Sequence, residues 1–248
     1  MEYALKGIRL DIAAQDSVTA SFTYLHVSNA LIQSGFTDEA EMYINKSLEY
    51  NPDNLYSAYV KAYILFAKDQ NLRRTKELII EALEKDTTRL DILQEVGKIC
   101  YYMRDYKDAY AFYKKFTDIR EENKLAIYTH EDAKIGLVFS EMGLKEESEK
   151  LFQSYKNYAD NDQSIYKHLS LAMYYSYRGN TKEALEHLRL FSQEDNYFYW
   201  IVLFLKIDPL VDNIKDLPEF KKIVNDLESK FWKNHTQIRN SLMEKGLI

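Results

Sequence analysis

The sequence predicts an all-α solenoid of helical hairpins closed by a long C-terminal capping helix. Three observations carry that expectation. Only 7 Gly and 3 Pro occur in 248 residues, too few breakers for the many tight turns of a sheet-rich fold. A helix–turn–helix spacing of apolar and small residues recurs along the chain. From Pro218 to Glu244 the apolar residues Phe220, Ile223, Val224, Leu227, Phe231, Ile238 and Leu242 keep helical periodicity.

The first hairpin is read from Tyr24-Leu25-His26-Val27-Ser28-Asn29-Ala30-Leu31, followed by Gly35, Asp38-Glu39-Ala40, Ile44, Ser47 and Pro52. Gly35 ends the first helix, where a positive φ is cheap. Pro52 cannot continue the second, so Asn51-Pro52-Asp53-Asn54 turns into the next hairpin. Ser28 and Ala40 are the small residues where the paired helices approach. This segment resembles a tetratricopeptide repeat, a unit of roughly 34 residues, with Tyr24 at its aromatic position and Pro52 at its closing proline. The resemblance implies a right-handed superhelical solenoid of about five to six such hairpins.

Further copies follow at the same spacing. Leu93, Val96, Gly97, Cys100, Ala109, Tyr113 and Phe116 form one; Ile135, Gly136, Phe139, Gly143, Ser148, Phe152 and Tyr155 another; Leu171, Ala172, Tyr175, Gly179, Ala184, Leu188 and Phe191 a third. The hairpin starting at Leu55 is a poorer copy. Counting from Pro52 makes Ala62 its close-approach residue, while the wet stripe of Ser57, Lys61 and Lys68 argues otherwise; one extra residue near Asp69-Gln70 reconciles the two. An insertion near Lys124–Tyr128 is expected in an inter-repeat loop. The whole chain, 1–248, is read as one solenoid. Its parts are a partial repeat or cap at 1–20, repeats at 21–54, 55–88, 90–123, 129–162 and 165–198, and a degenerate repeat with the capping helix at 199–248. Ala4, Gly7, Ile8 and Leu10 resemble a second helix that lacks its first, and Tyr197–Ile207 resembles a first helix. Asp208-Pro209-Leu210 breaks the pattern, and Pro218 opens a new helix at its first turn, expected to cap the last hairpin.

Composition narrows the function. A net charge of −6 offers no basic field for phosphates, so nucleic-acid binding is not expected. The most apolar run, Tyr197–Ile207, is too short to insert in a membrane, and the N-terminus lacks the apolar core of a signal peptide. The cytoplasm is favoured, with a periplasmic or extracytoplasmic setting as the alternative if the chain is a piece of a membrane-anchored protein. The single Cys100 falls on an inward helix position and reads as an inert core thiol. No glycine-rich phosphate loop and no metal-binding spacing occurs. His26, His130, His168, His187 and His235 lack carboxylates at ligand spacing and read as single surface or groove histidines. No catalytic residue, metal or cofactor is assigned, and the chain is not expected to be an enzyme.

Function is expected on the first helices, which line the concave face of such arrays. Positions off their packed stripe are Phe22, Leu25, Asn29 and Gln33; Asp91, Gln94, Lys98, Tyr101 and Tyr102; His130, Lys134, Leu137 and Glu141; and Tyr166, Leu169, Met173 and Tyr177. Asn29, Gln33, Gln94, Lys98, Tyr101, Tyr102, Lys134, Tyr166, Met173 and Tyr177 are the expected partner-binding set. Chaperone-binding members of the family hold a terminal carboxylate with Lys and Asn on successive first helices; here Asp91 and Glu95 stand where cations are needed, and two acids repel a carboxylate. The string Ile207-Asp208-Pro209-Leu210 with Ile214-Lys215-Asp216-Leu217-Pro218-Glu219-Phe220 is similar to the end of repeat arrays attached to bacterial transcription regulators and adenylate cyclases. That resemblance implies a partner-docking or sensory part of a larger regulator. A free-standing scaffold or assembly factor and a small-ligand sensor acting through curvature are the alternatives, and the 21 Tyr could also serve homo-oligomerisation.

Overall fold

A computed structural model describes residues 2–8 and 16–248; the side chains of Ala4, Gly7 and Ile8 are not described. Among the described residues there are helices and no strands. They run α1 (Glu2–Ile8), α2 (Ser17–Gln33), α3 (Thr37–Tyr50), α4 (Leu55–Asp69), α5 (Leu72–Lys85), α6 (Leu90–Tyr102), α7 (Tyr106–Glu122), α8 (Asp132–Glu141), α9 (Lys145–Asn161), α10 (Lys167–Tyr177), α11 (Thr181–Phe191), α12 (Tyr199–Phe204) and α13 (Pro218–Glu244). The chain divides into two compact units. One comprises Met1–Ile92, Phe198–Trp200 and Phe231–Ile248; the other comprises Leu93–Tyr197 and Ile201–Lys230.

The hairpins obey one register. A positive-φ residue closes each first helix, at Gly35, Gln70, Arg104, Gly143 and Gly179. At Gly35, Arg104, Gly143 and Gly179 the next residue's N–H reaches back to the carbonyl of Leu31, Cys100, Phe139 and Tyr175, which satisfies carbonyls left open at the helix end. Gln70 differs, because its N–H bonds to the Phe66 carbonyl and α4 simply runs one residue further. That is the extra residue expected near Asp69-Gln70. The expected insertion at Lys124–Tyr128 also stands in a loop, between α7 and α8, with Lys124 and Tyr128 at positive φ.

Close approach follows the expected small residues. In the first unit the Ser28 hydroxyl donates to the Ala40 carbonyl at 2.7 Å, 12 residues away. In the second the Ser148 hydroxyl donates to the Gly136 carbonyl at 2.7 Å across the same 12-residue step. A Cβ on Gly97 would lie 2.7 Å from the Tyr113 ring, and one on Gly136 would lie 3.0 Å from Phe152. The register that faces Gly97 with Tyr113 and Gly136 with Phe152 faces Ser28 with Ile44 and Ala172 with Leu188, all of them deeply buried. Glycine is therefore spent where a ring must fit.

In the first unit a buried hydroxyl network joins α2, α3 and the entry to α4. Ser47 Oγ lies 3.0 Å from Ser21 Oγ and 2.6 Å from Ser57 Oγ, while Asn54 Nδ2 donates to Ser21 Oγ at 2.9 Å. The C-terminal part of α13 belongs to this unit. Phe231 packs on Gly35, and His235 lies 2.8 Å from the Ser34 carbonyl with its ring 4.3 Å from that of Phe36. The capping helix, expected over the last hairpin, thus also covers the turn of the first. Its opening part does serve the last hairpin in the second unit: Arg189 pairs with Glu219 at 2.5 Å, and Lys230 donates to the Gln193 and Glu194 carbonyls at 2.9 and 2.7 Å. The expected first helix over Tyr197–Ile207 shortens to α12, because the chain breaks into turns before Asp208. Leu10 of the expected N-terminal half-repeat lies outside the described residues.

Candidate functional site

In the second unit the first-helix face is filled from within. Tyr101, expected to face a partner, is fully buried and donates its hydroxyl to the Asp208 carboxylate. The Leu210 N–H caps both groups, at 3.2 Å from the Tyr101 hydroxyl and 2.9 Å from Asp208 Oδ1. Tyr102 stacks on Phe204 at 4.4 Å. Arg104 grips Asp212, with Nη2 2.7 Å from Oδ1, and Asn213 Nδ2 donates to the Ser176 carbonyl at 2.8 Å. The Asp208-Pro209-Leu210 segment, singled out as a break in the repeat pattern, is what covers these positions. Gln94 and Met173 are buried as well, as are Leu137 and Leu169. Tyr177 stacks flat on Phe152 at 3.9 Å, and Tyr166 lies half-buried 6.1 Å from Phe191. Rings expected to meet a partner therefore pack against the chain's own side chains, because the face they share is apolar enough to be covered.

The two expected lysines are held by acids. Lys134 Nζ sits 2.8 Å from Glu131 Oε2, and Lys98 Nζ sits 2.7 Å from Glu95 and 3.5 Å from Glu131 Oε1. Glu131 is buried, and burial alone would raise its pKa; Lys134, Lys98 and His130 outweigh it and hold the carboxyl far below its ordinary value. Asp208 goes the other way: burial raises its pKa despite Lys134 and the Tyr101 hydrogen bond. Gln94 donates to Glu95, while its own Oε1 finds no partner among the described residues. Sequence reasoning placed the lysines on this face and missed Glu131 and Asp208, which come from a loop end and from the pattern break.

In the first unit part of the same face is open, although Leu25 is buried and Tyr63 is buried with its ring 5.6 Å from that of Trp200. Phe22 on α2 and Tyr56 on α4 are 37% and 40% exposed, with rings 6.4 Å apart. His26 flanks Phe22 at 6.5 Å and Tyr59 flanks Tyr56 at 6.1 Å. The Arg89 guanidinium lies 3.9 Å over the Tyr56 ring, held flat by Asp91 through bonds of 2.9 and 2.6 Å. Asn29 and Gln33 continue along α2, half-buried and 3.4 Å from one another. Tyr56, Tyr59 and Arg89 were not among the expected positions. Their signal was the spacing Tyr56-Tyr59-Tyr63, which marks one face of α4 once the extra residue fixes the register.

Residues 23–54 match the family model described as tetratricopeptide repeat. The chain carries a tetratricopeptide repeat. The remaining hairpins repeat its register, and the all-helical fold is that of tetratricopeptide solenoids. A structure of PilF from Pseudomonas aeruginosa is similar at 15% identity, covering 92% of this chain and 100% of that one with a TM-score of 0.52. YrrB, described as a tetratricopeptide protein with an unusual peptide-binding site, is 17% identical over 70% of this chain and 85% of its own, with a TM-score of 0.43. MamA from Desulfovibrio magneticus is 14% identical over 70% and 93%, with a TM-score of 0.45. No curated protein sequence matches the chain. Among the described residues no helix is long and apolar enough to cross a membrane.

Proposed function

We propose that the chain is a protein-interaction module that docks a partner polypeptide on the first-helix face of its first unit. The open shelf of Phe22, Tyr56 and Arg89 carries this reading. Rigid rings supply contact area at small entropic cost, and an arginine already stacked and paired loses little freedom on binding. Asn29 and Gln33 extend the face with amides that can bond a peptide backbone. Lys98, Lys134, Tyr102, Tyr166 and Tyr177 sit at its equivalents in the second unit, where internal partners already engage them; Gln94, Tyr101 and Met173 serve there as core. The Asp208-Pro209-Leu210 to Phe220 string supports a docking role within a larger bacterial signalling or transcription protein.

Display panning of random peptides against the whole chain tests the site. Enriched peptides are expected to bind the wild type and to lose binding to a Phe22→Ala/Tyr56→Ala variant, while a Tyr166→Ala variant retains it. Peptides indifferent to the double variant would place the docking face elsewhere.

A further inference from the structure

Two buried side chains of the second unit are more polar than their place in the register requires. Tyr113 faces Gly97 as Phe152 faces Gly136, so a ring without a hydroxyl fills the equivalent slot. Gln94 stands three residues before Gly97, where the hairpins opened by α2, α8 and α10 carry the buried apolar residues Leu25, Ala133 and Leu169. Gln94 is 1% exposed and Tyr113 0%, yet Gln94 Oε1 and the Tyr113 hydroxyl have no hydrogen-bond partner among the described residues. Bare buried polar atoms destabilise a fold, and packing does not call for these two. Asp208 adds a buried carboxylate that meets the Tyr101 hydroxyl and the Leu210 N–H but no cation in contact among the described residues.

These groups share one polar island. Gln94 Nε2 donates to Glu95, which also takes Lys98 Nζ at 2.7 Å; Lys98 lies 3.5 Å from Glu131, and Glu131 holds Lys134 at 2.8 Å. Burial and then the charges of Glu131, Glu95 and Asp208 raise the Tyr113 pKa, so its hydroxyl lies within their field. Glu95, Lys98 and Lys134 are half-buried, and the island meets solvent on their side. We infer that the island is a binding site for a small primary ammonium ion, a free amine of low molecular mass whose N–H groups donate to Gln94 Oε1 and the Tyr113 hydroxyl.

The ligand's chemistry follows from what the island lacks. Gln94 Oε1 can only accept, and its amide is oriented by Glu95, since the flipped amide would set its oxygen against that carboxylate. The missing group is therefore a donor. It is also a cation: Glu95, Glu131 and Asp208 face Lys98 and Lys134, which leaves one carboxylate in excess. Arg104 does not offset it, being held by Asp212, and His130, at the exposed rim with a lowered pKa, is neutral at neutral pH. Water brings donors without charge, and a quaternary ammonium brings charge without donors. A primary ammonium brings three N–H donors and one charge together.

The test titrates ethylamine, ethanolamine and putrescine into the full chain at neutral pH, read by calorimetry and by melting temperature, with choline as the cation that has no N–H. One bound amine per chain and a raised melting temperature are expected from at least one of the three, and no binding from choline. Gln94→Leu, which copies Leu25 and Leu169, and Tyr113→Phe, which copies Phe152, are expected to melt at or above the unliganded wild type. Each is expected to bind the amine about tenfold or more weakly, the scale for a lost hydrogen bond to a charged group. Met42→Ala, at an exposed residue of the first unit, is expected to leave binding unchanged. Absence of binding by all three amines, choline bound as tightly as they are, or equal affinity in wild type, Gln94→Leu and Tyr113→Phe would overturn the assignment. So would a Tyr113→Phe chain that melts below the unliganded wild type, because the hydroxyl would then be served by ordered water.

Discussion

The two units share one hairpin register and use it differently. In the first, Ser28 bonds the Ala40 carbonyl and stands opposite Ile44 in the register, and the first-helix face stays partly open with Phe22 and Tyr56 exposed. In the second, Gly97 and Gly136 admit the rings of Tyr113 and Phe152, and the matching face is covered by the segment around Asp208. The register conserves the sum of two facing volumes rather than either residue. A ring on one helix demands that its opposite lose its Cβ.

The largest effect should come from breaking that trade. Gly97→Leu drives a side chain into the Tyr113 ring, where even a Cβ would lie at 2.7 Å. Overpacking should cost about 1–3 kcal/mol or more, seen as a lowered denaturant midpoint. Gly97→Ala paired with Tyr113→Leu converts the site to the form used by Ala172 and Leu188, and should recover much of the loss. Failure to recover would show that the ring matters beyond its volume. Gly136→Leu should behave as Gly97→Leu does, and an unchanged melting temperature there would refute the register.

Next in size is the covered face. Tyr101→Phe removes one of the two donors to buried Asp208 Oδ1, leaving the Leu210 N–H, and should cost about 1.5–3 kcal/mol, the scale for a hydrogen bond to a charged group. Because Asp208 has a raised pKa, its ionised form opposes folding, so the penalty should shrink as the pH falls through that pKa and the carboxyl protonates. Glu131 has the opposite sign. Its folded pKa is depressed below the ordinary 4.5, so its stabilisation is complete above that value and is lost as the pH falls toward the folded pKa. Glu131→Gln should therefore lower stability at neutral pH and flatten the fall in acid, measured as melting temperature against pH.

The smallest effect on stability should come from the open face. Phe22→Ala with Tyr56→Ala should change unfolding free energy by no more than about 0.5 kcal/mol per site, as surface changes do, while abolishing peptide capture. A large loss of stability would mean these rings support the fold and not a partner.

Most of the fold was legible because hairpin register is local: Gly35, Gly143 and Gly179 announce turns, and Ser28, Gly136 and Ala172 announce close contacts. The extra residue in α4 was readable from conflicting counts of the same kind. The site was less legible. Whether Tyr101 faces a partner or a core depends on where Asp208 arrives, 107 residues along the chain, and no periodicity carries that information. His168 and His187, read as single, face one another with Nδ1 atoms 3.0 Å apart. They were missed for a different reason: their pairing follows from the register that places Tyr24 beside Tyr43, a rule visible only once one pair has been seen.

The placement of Phe231 and His235 against Gly35 and Phe36 bears on how the chain reaches its native state. The first hairpin finishes its packing with residues 201 positions further along the chain. During vectorial synthesis its turn waits, apolar side uncovered, while the intervening hairpins form, and long-range closure of this kind raises contact order and slows the final step. Pulse-labelling of amide hydrogens during refolding should find the Gly35–Phe36 turn among the last sites protected, in a protein whose hairpins are otherwise built from neighbours.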